Sequence, residues 1–365
     1  MHVHVTPAVE RLRPYVAGPR PGDAFEGVAP EEIVLLHANE YPEGPFPEVI
    51  AAVSAALSGL NRYPDQDCSE LRALLSTQLA VSPGSLMFGN GSCELLKLLS
   101  EGFVEPGGHI VYPQPSFVMY GILATQRQGR VSAVPLRDHC HDLEAMSSAL
   151  TPSTRMVIVC NPNNPTGTYL APPALRAFLE AAPKQTLVVL DEAYGEFVTS
   201  PLWEDTSRWV ERFPNLVVLR TFSKIYGLAG LRVGYGIAHP EVAQAVDRLR
   251  QPYNVGTVAQ VAAAESLRHP NLMEARRLHT RRERERLSQE LDGLGRRITD
   301  SQANFVFLNI EGMSVPGEEV PRLLLSRGVM TRSGYFMGCP GWMRVTIGSV
   351  EENNTFLEAL GSLAS

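Results

Sequence analysis

Short apolar runs alternate with helix-spaced segments along most of the chain. Pro47 to Gly59 and Cys68 to Ala80 place apolar side chains at helical spacing. Apolar runs follow at Ser85–Phe88, His109–Tyr112, Arg155–Cys160, Thr186–Leu190, Leu216–Leu219 and Val233–Ala238, and helical patterns separate most of them. Strands that alternate with helices make βαβ units, so the pattern predicts an α/β chain with a largely parallel sheet. Residues 7 to 30, rich in Pro, Gly and charge, read as an extended arm rather than a packed element. Pro270 to Gly295 is dense in Arg and Glu with Leu interspersed, which reads as a long helix with a solvated charged face. Beyond it, Ala303–Ile310, Val329–Arg332 and Met343–Ile347 read as strands, and Gly317–Arg327 and Glu351–Ser362 as helices. The expected division is an N-terminal arm over 1–44, a large domain over 45–265 and a small C-terminal α/β domain over 266–365.

Composition narrows the function. A chain of 365 residues can bury a large core and hold two lobes. Its net charge of −7 argues against a general nucleic-acid binder, while leaving room for a local basic pocket. No stretch is long and apolar enough for a membrane span, and Met1 to Pro21 lacks the apolar core of a secretory signal. The five cysteines (Cys68, Cys93, Cys140, Cys160, Cys339) are scattered without CxxC spacing, so no metal site is expected and reduced thiols in the cytoplasm are the simplest reading.

The candidate chemistry follows the predicted strands. Gly89 to Glu94 is a Gly-rich turn that opens a helix. Asn161 to Gly167, Asp191 to Tyr194 and Thr221 to Lys224 each follow a further strand. Open parallel sheets bind ligands beyond the carboxyl ends of their strands, so these segments are expected to converge. Bare N–H groups at a helix N-terminus suit a phosphate. Thr221, Ser223 and Arg232 add hydroxyl and guanidinium donors. An Asp for a pyridinium and a Lys for an aldehyde are what pyridoxal-phosphate (PLP) chemistry requires. Singly, each piece has a plainer explanation. Glu94 stands where a dinucleotide fingerprint has its third glycine, an Asp after a strand is often a cap, and a lone Lys is usually a solvated charge.

Together they resemble the histidinol-phosphate aminotransferase family, within the fold type I PLP-dependent aminotransferases. The resemblance runs from Arg11-Leu-Arg-Pro-Tyr15 to Met343-Arg-Val-Thr-Ile-Gly348. It is carried by Ala38-Asn-Glu40, Asn61-Arg-Tyr-Pro64, Asn163-Asn-Pro-Thr-Gly167, Asp191-Glu-Ala-Tyr194 and Thr221-Phe-Ser-Lys-Ile-Tyr-Gly-Leu-Ala-Gly-Leu-Arg232. It implies a largely parallel seven-stranded central sheet with helices on both faces, and a smaller C-terminal α/β lobe. It implies a Schiff base on Lys224, which also moves the proton between the substrate Cα and the cofactor. Asp191 pairs with the pyridine nitrogen, and Asn164 and Tyr194 hydrogen-bond the ring oxygen. Phe117 stacks on the ring, where many relatives have Tyr. Gly91, Ser92, Cys93, Thr221, Ser223 and Arg232 hold the phosphate, with Tyr63 reaching it from the neighbouring subunit of a homodimer. Arg344 binds the substrate α-carboxylate beside Asn164, while Arg332 and Tyr15 meet the distal phosphate of histidinol phosphate. Asn163 is read as a turn residue.

The implied reaction exchanges amino groups between histidinol phosphate and 2-oxoglutarate in two half-reactions, with glutamate as the amino donor in the reverse sense. Two other activities of the same subfamily remain open: an aminotransferase for aromatic or biosynthetic-cluster amino acids, and a decarboxylase of a phosphorylated amino acid. Cys93 replaces an acidic residue common in this turn, and Gly334 to Trp342 is unusually aromatic, so both bear on specificity. A PLP-sensing DNA-binding regulator is disfavoured, because the arm before the first motif is too short and Pro-rich for a helix-turn-helix.

Overall fold

The computed structural model describes residues 3–12 and 29–364. Its strands, in chain order, are β1 (Val34–Leu35), β2 (Leu86–Gly89), β3 (His109–Gln114), β4 (Arg130–Pro135), β5 (Thr154–Cys160), β6 (Leu187–Asp191), β7 (Leu216–Thr221), β8 (Gly234–Ala238), β9 (Phe305–Asn309), β10 (Val329–Met330), β11 (Arg332–Ser333) and β12 (Trp342–Thr346). Seven of them form one sheet in the order β2-β8-β7-β6-β5-β3-β4, in which β8 alone runs antiparallel to its neighbours.

Strands β6 and β7 are buried along their whole length. Their near-continuous apolar sequences follow from helices covering both faces of the sheet. Side chains alternate between the two cores, as strand geometry demands. Val157, Val159, Val188, Leu190 and Val218 enter one cluster, while Met156, Ile158, Val189, Val217 and Leu219 enter the other.

The strands expected for the central sheet are present, and one more joins them there; β1, outside that sheet, was not expected either. Arg130–Pro135 forms the edge strand β4, paired in parallel with β3. Only Val134 on it is buried, and Arg130, Val131 and Pro135 are exposed, so it lacks the apolar run that marks its neighbours.

The C-terminal strands form a three-stranded antiparallel sheet, β11-β12-β9. The single strand expected over Val329–Arg332 is split. Val329 and Met330 pair in parallel with Val34 and Leu35, whereas Arg332 and Ser333 pair with β12. Leu36, Val306, Leu308, Met343, Val345, Phe356 and Leu360 fill a third core between this sheet and the helix Val350–Ala364.

Two further expectations need correction. The arm is not wholly extended, because Pro7–Arg11 forms a short helix that buries Ala8. The charged segment is a helix, Pro270–Gly293, but its charge is not confined to a solvated face. Arg276, Glu283 and Arg284 are buried. Arg276 stacks over Tyr41 and Phe46 at 4.4 and 4.1 Å and donates to the Ile225 and Gly44 carbonyls. Arg284 donates to Ala303 O at 3.0 Å and Thr199 Oγ1 at 2.7 Å. These arginines satisfy loop carbonyls that no strand or helix serves, which is why a charged helix is buried here.

Candidate active site

At the carboxyl ends of β5, β6 and β7, Asn164, Asp191, Tyr194, Ser223 and Lys224 line one pocket. The turn after β2 closes one end of it with Ser92 and Cys93. Gly91 has φ 79°, and a side chain there would run into the Arg232 guanidinium. Ser92 then begins the helix Ser92–Phe103. Gly234 lets β8 approach this helix start, since a side chain on it would collide with the Ser92 backbone nitrogen. Glu94, the residue that broke the dinucleotide pattern, locks the turn. Its carboxylate accepts from Asn90 N at 2.6 Å and Asn254 Nδ2 at 2.8 Å. Arg232 donates to Ser223 Oγ at 3.2 Å and Ala229 O at 3.0 Å, and Ser223 N donates to Thr221 Oγ1 at 3.1 Å. Hydroxyls, a guanidinium and a helix N-terminus thus surround one small volume suited to a phosphate.

Deeper in the pocket lies Asp191, whose Oδ2 accepts from the Tyr120 hydroxyl at 2.8 Å and Oδ1 from Ala193 N at 3.2 Å. Burial pushes its carboxyl up to about 6, while those two hydrogen bonds pull it down. The Tyr194 hydroxyl accepts from Asn39 Nδ2 at 3.0 Å and Asn164 Nδ2 at 3.3 Å. Asn164 Oδ1 accepts from Arg344 Nη1 at 2.6 Å, and Arg344 Nη2 donates to His37 O at 2.7 Å. Lys224 Nζ donates to Ala38 O at 3.2 Å and sits 5.7 Å from the Tyr194 ring centroid. Burial, together with nearby Arg344, lowers this amine to about 8. Arg332 stands directly opposite Arg344 across the β11–β12 pair, and its guanidinium lies 5.4 Å over the Phe336 ring. An amine poised to lose its proton, a buried carboxylate, an anion cradle and two arginines therefore share one enclosure.

The sequence profile of aminotransferase class I and II matches residues 31–360. The chain belongs to this family. Histidinol-phosphate aminotransferase of Moorella thermoacetica is 41% identical over 354 residues, covering 97% of this chain and 91% of that protein. Histidinol-phosphate aminotransferase 1 of Cupriavidus pinatubonensis is 42% identical over 355 residues, covering 96% and 94%. The solved structure of histidinol-phosphate aminotransferase from Sinorhizobium meliloti, in complex with pyridoxal-5'-phosphate, matches with a TM-score of 0.91 at 27% identity, covering 100% of this chain and 98% of that one.

Within this class I and II aminotransferase, most of the expected site residues meet. Ser92, Cys93, Phe117, Asn164, Asp191, Tyr194, Thr221, Ser223, Lys224, Arg232, Arg332 and Arg344 all line the pocket, and Gly91 abuts Arg232 at its edge. Tyr63 does not. It is 80% exposed and stacks on Tyr253 with ring centroids 4.6 Å apart. Tyr15 lies outside the described residues. Asn163 is buried and staples its loop, accepting from Ser116 Oγ at 2.7 Å and donating to Thr166 Oγ1 at 2.9 Å.

The pocket also includes His37, Asn39, Phe336 and Met337, which motif reading did not assign to it. Asn39 was visible inside a marker motif. His37 was not, because a histidine just before that motif carries no signal of its own. Its imidazole is lowered chiefly by burial and further by Arg332 and Arg344, against Glu40.

Proposed function

We propose that this chain is a PLP-dependent aminotransferase that exchanges amino groups between histidinol phosphate and 2-oxoglutarate. The observation that carries the reading is the pair Arg332–Arg344, in register across one strand pair, on the wall of the pocket that holds Lys224 and Asp191. Two arginines on facing strand positions, both lining the pocket, suit substrates with either a carboxylate or a distal phosphate.

The residues fit the cofactor. The cradle around Gly91, Ser92, Thr221, Ser223 and Arg232 would hold its phosphate, Phe117 would stack on its ring, and Asp191 would meet its ring nitrogen. When bound, PLP supplies an aldehyde that captures amines and a protonated ring that withdraws electrons from the substrate Cα. Lys224 would hold the cofactor covalently at rest. Once released by substrate, its Nζ takes the proton from Cα, and an amine lowered to about 8 has a usable neutral fraction near neutral pH. Asp191 contributes a negative charge fixed by two donors, so little reorganisation accompanies the reaction. Asn164 and Tyr194 would hold the ring oxygen, and Asn164, bonded to Arg344, would steady that arginine for a carboxylate. Cys93 offers its backbone to the phosphate.

In this reading the working unit is a cytoplasmic homodimer, with the exposed Tyr63 delivered to the partner's phosphate cradle. The large domain spans 45–265 and the small domain 266–365. Among the described residues no helix is long and apolar enough to cross a membrane.

The test is a half-reaction screen. The PLP-loaded enzyme is mixed separately with histidinol phosphate, glutamate and the aromatic amino acids, and the bound cofactor's visible absorbance is followed. Histidinol phosphate and glutamate should both discharge it. A loaded enzyme that ignores histidinol phosphate but responds to an aromatic amino acid overturns the substrate assignment.

A further inference from the structure

The buried carboxylate of Asp191 is held from a helix that carries none of the recognised motifs. That helix, Met119–Gln126, begins just after Phe117. Tyr120 N donates to Phe117 O at 3.1 Å, a single tight turn, and Phe117 lines the pocket. Tyr120 is fully buried. Its ring meets Phe117 edge-on, with centroids 5.7 Å apart at 90°, and is tilted against Tyr112 at 6.4 Å. Its hydroxyl reaches Asp191 Oδ2 at 2.8 Å.

We propose that Tyr120 is a positioning residue that fixes Asp191 and keeps it ionised for its contact with the cofactor ring, while bracing Phe117 against the same ring. It touches neither substrate nor reacting atoms.

The physical case rests on what surrounds the carboxylate. Asp191 Oδ1 has Ala193 N, and Oδ2 has Tyr120. Glu192, Cys93, Cys160 and Tyr194 also interact with it electrostatically, and among the described residues the cations Lys224 and Arg232 line the same pocket without a hydrogen bond to it. The phenol therefore supplies one of two specific stabilisations of a charge that burial opposes. A hydrogen bond to a buried charged group is among the strong ones, and removing the donor leaves the acceptor unsatisfied. Two donors approaching different oxygens also fix the carboxylate plane.

The variant is Tyr120→Phe, which keeps the ring between Phe117 and Tyr112 and loses only the hydroxyl. A thermal melt of the apoprotein checks that it folds. The main readout is the affinity of apoprotein for PLP, measured by quenching of intrinsic fluorescence across pH 5 to 9. In wild type the affinity should weaken as pH falls through the Asp191 titration, near 6. In Tyr120→Phe that inflection should move up by about one unit or more, and affinity at pH 8 should fall about tenfold. The glutamate half-reaction should lose about tenfold in kcat with KM within about twofold.

Superimposable pH profiles for the two proteins overturn the proposal. So does a loss of kcat without movement of the inflection, because a merely structural role predicts that pattern. The inference rests on the PLP assignment, and a wild-type apoprotein that takes up no PLP sinks both. It uses glutamate and PLP only, so a failure with histidinol phosphate defeats the substrate reading and not this one.

Discussion

Replacing Arg332 by Ala should change which substrate the enzyme prefers. Arg332 is half-buried on β11, directly opposite Arg344, with its guanidinium over Phe336. A charge-assisted contact to phosphate is worth on the order of 2–5 kcal/mol when desolvated, and less where water reaches it. Partial exposure places Arg332 at the lower end, about 2 kcal/mol, which is roughly a thirtyfold loss in kcat/KM for histidinol phosphate. Glutamate has no distal phosphate, so its half-reaction should stay within about threefold. Arg344→Ala should show the opposite bias. That residue is 8% exposed and holds Asn164 Oδ1 and His37 O, so its removal takes away the carboxylate partner and loosens the groups around it. A loss of about 3 kcal/mol, or more than a hundredfold, is expected with glutamate. Stopped-flow measurement of each half-reaction with each variant gives the ratio of kcat/KM values directly. If Arg332→Ala leaves that ratio where it was, the distal-phosphate role is wrong. The aromatic stretch Tyr335 to Trp342, whose Phe336 and Met337 line the pocket, would then favour an aromatic substrate.

Lys224→Ala should abolish turnover and the borohydride-trappable cofactor adduct, while PLP still binds through the phosphate cradle; turnover near the wild-type rate would remove Lys224 from its role. Because burial and Arg344 lower this amine to about 8, covalent capture of PLP by the wild-type apoprotein should accelerate as pH rises through that value, and a midpoint near that of a free lysine would refute the lowered value. Asp191→Asn keeps the shape but not the charge, so the glutamate half-reaction should slow by roughly two powers of ten, and a rate within about threefold of wild type would count against the ring-nitrogen contact. Tyr63→Phe should weaken PLP binding in the assembled enzyme, and sedimentation at assay concentration should show a dimer; a fully active monomer contradicts the shared cradle.

The parts of this molecule legible in its sequence are those where local chemistry announces itself. β6 and β7 are unbroken apolar runs because both faces are covered, and the polar residues at their ends stand out against that background. Gly91 and Lys224 stood out only in combination, because each lies in a segment that follows a strand and matches the family resemblance. β4 escaped because an edge strand needs only one apolar side chain, Val134, to seat itself. The buried Arg276 and Arg284 were hidden for the opposite reason. A charge run looks solvated until the loop carbonyls that require donors are in view, and those lie at Gly44, Ile225 and Ala303, far away in sequence.

The same reason explains why the bonding around Asn39 could not be read, although Ala38 and Asn39 lie in a marker motif. Asn39 N donates to Thr346 Oγ1 at 3.0 Å, Asn39 O accepts from Asn304 Nδ2 at 3.1 Å, and Asn39 Nδ2 donates to the Tyr194 hydroxyl at 3.0 Å. Its neighbours Ala38 and His37 offer carbonyls to Lys224 and Arg344. A short segment just after β1 therefore joins the amine of Lys224, the phenol of Tyr194 and the guanidinium of Arg344. Three residues bonded to four distant parts of the chain leave no periodicity to read. Beyond the motif that holds Ala38 and Asn39, the structure adds an unusual backbone, φ 54° at Asn39, held by partners from both the large and the C-terminal sheet regions. Such a conformation persists only where its surroundings impose it. The segment thus aligns Lys224 with Arg344 by satisfying both through adjacent carbonyls, and a shift of one residue in it would move the two groups relative to each other.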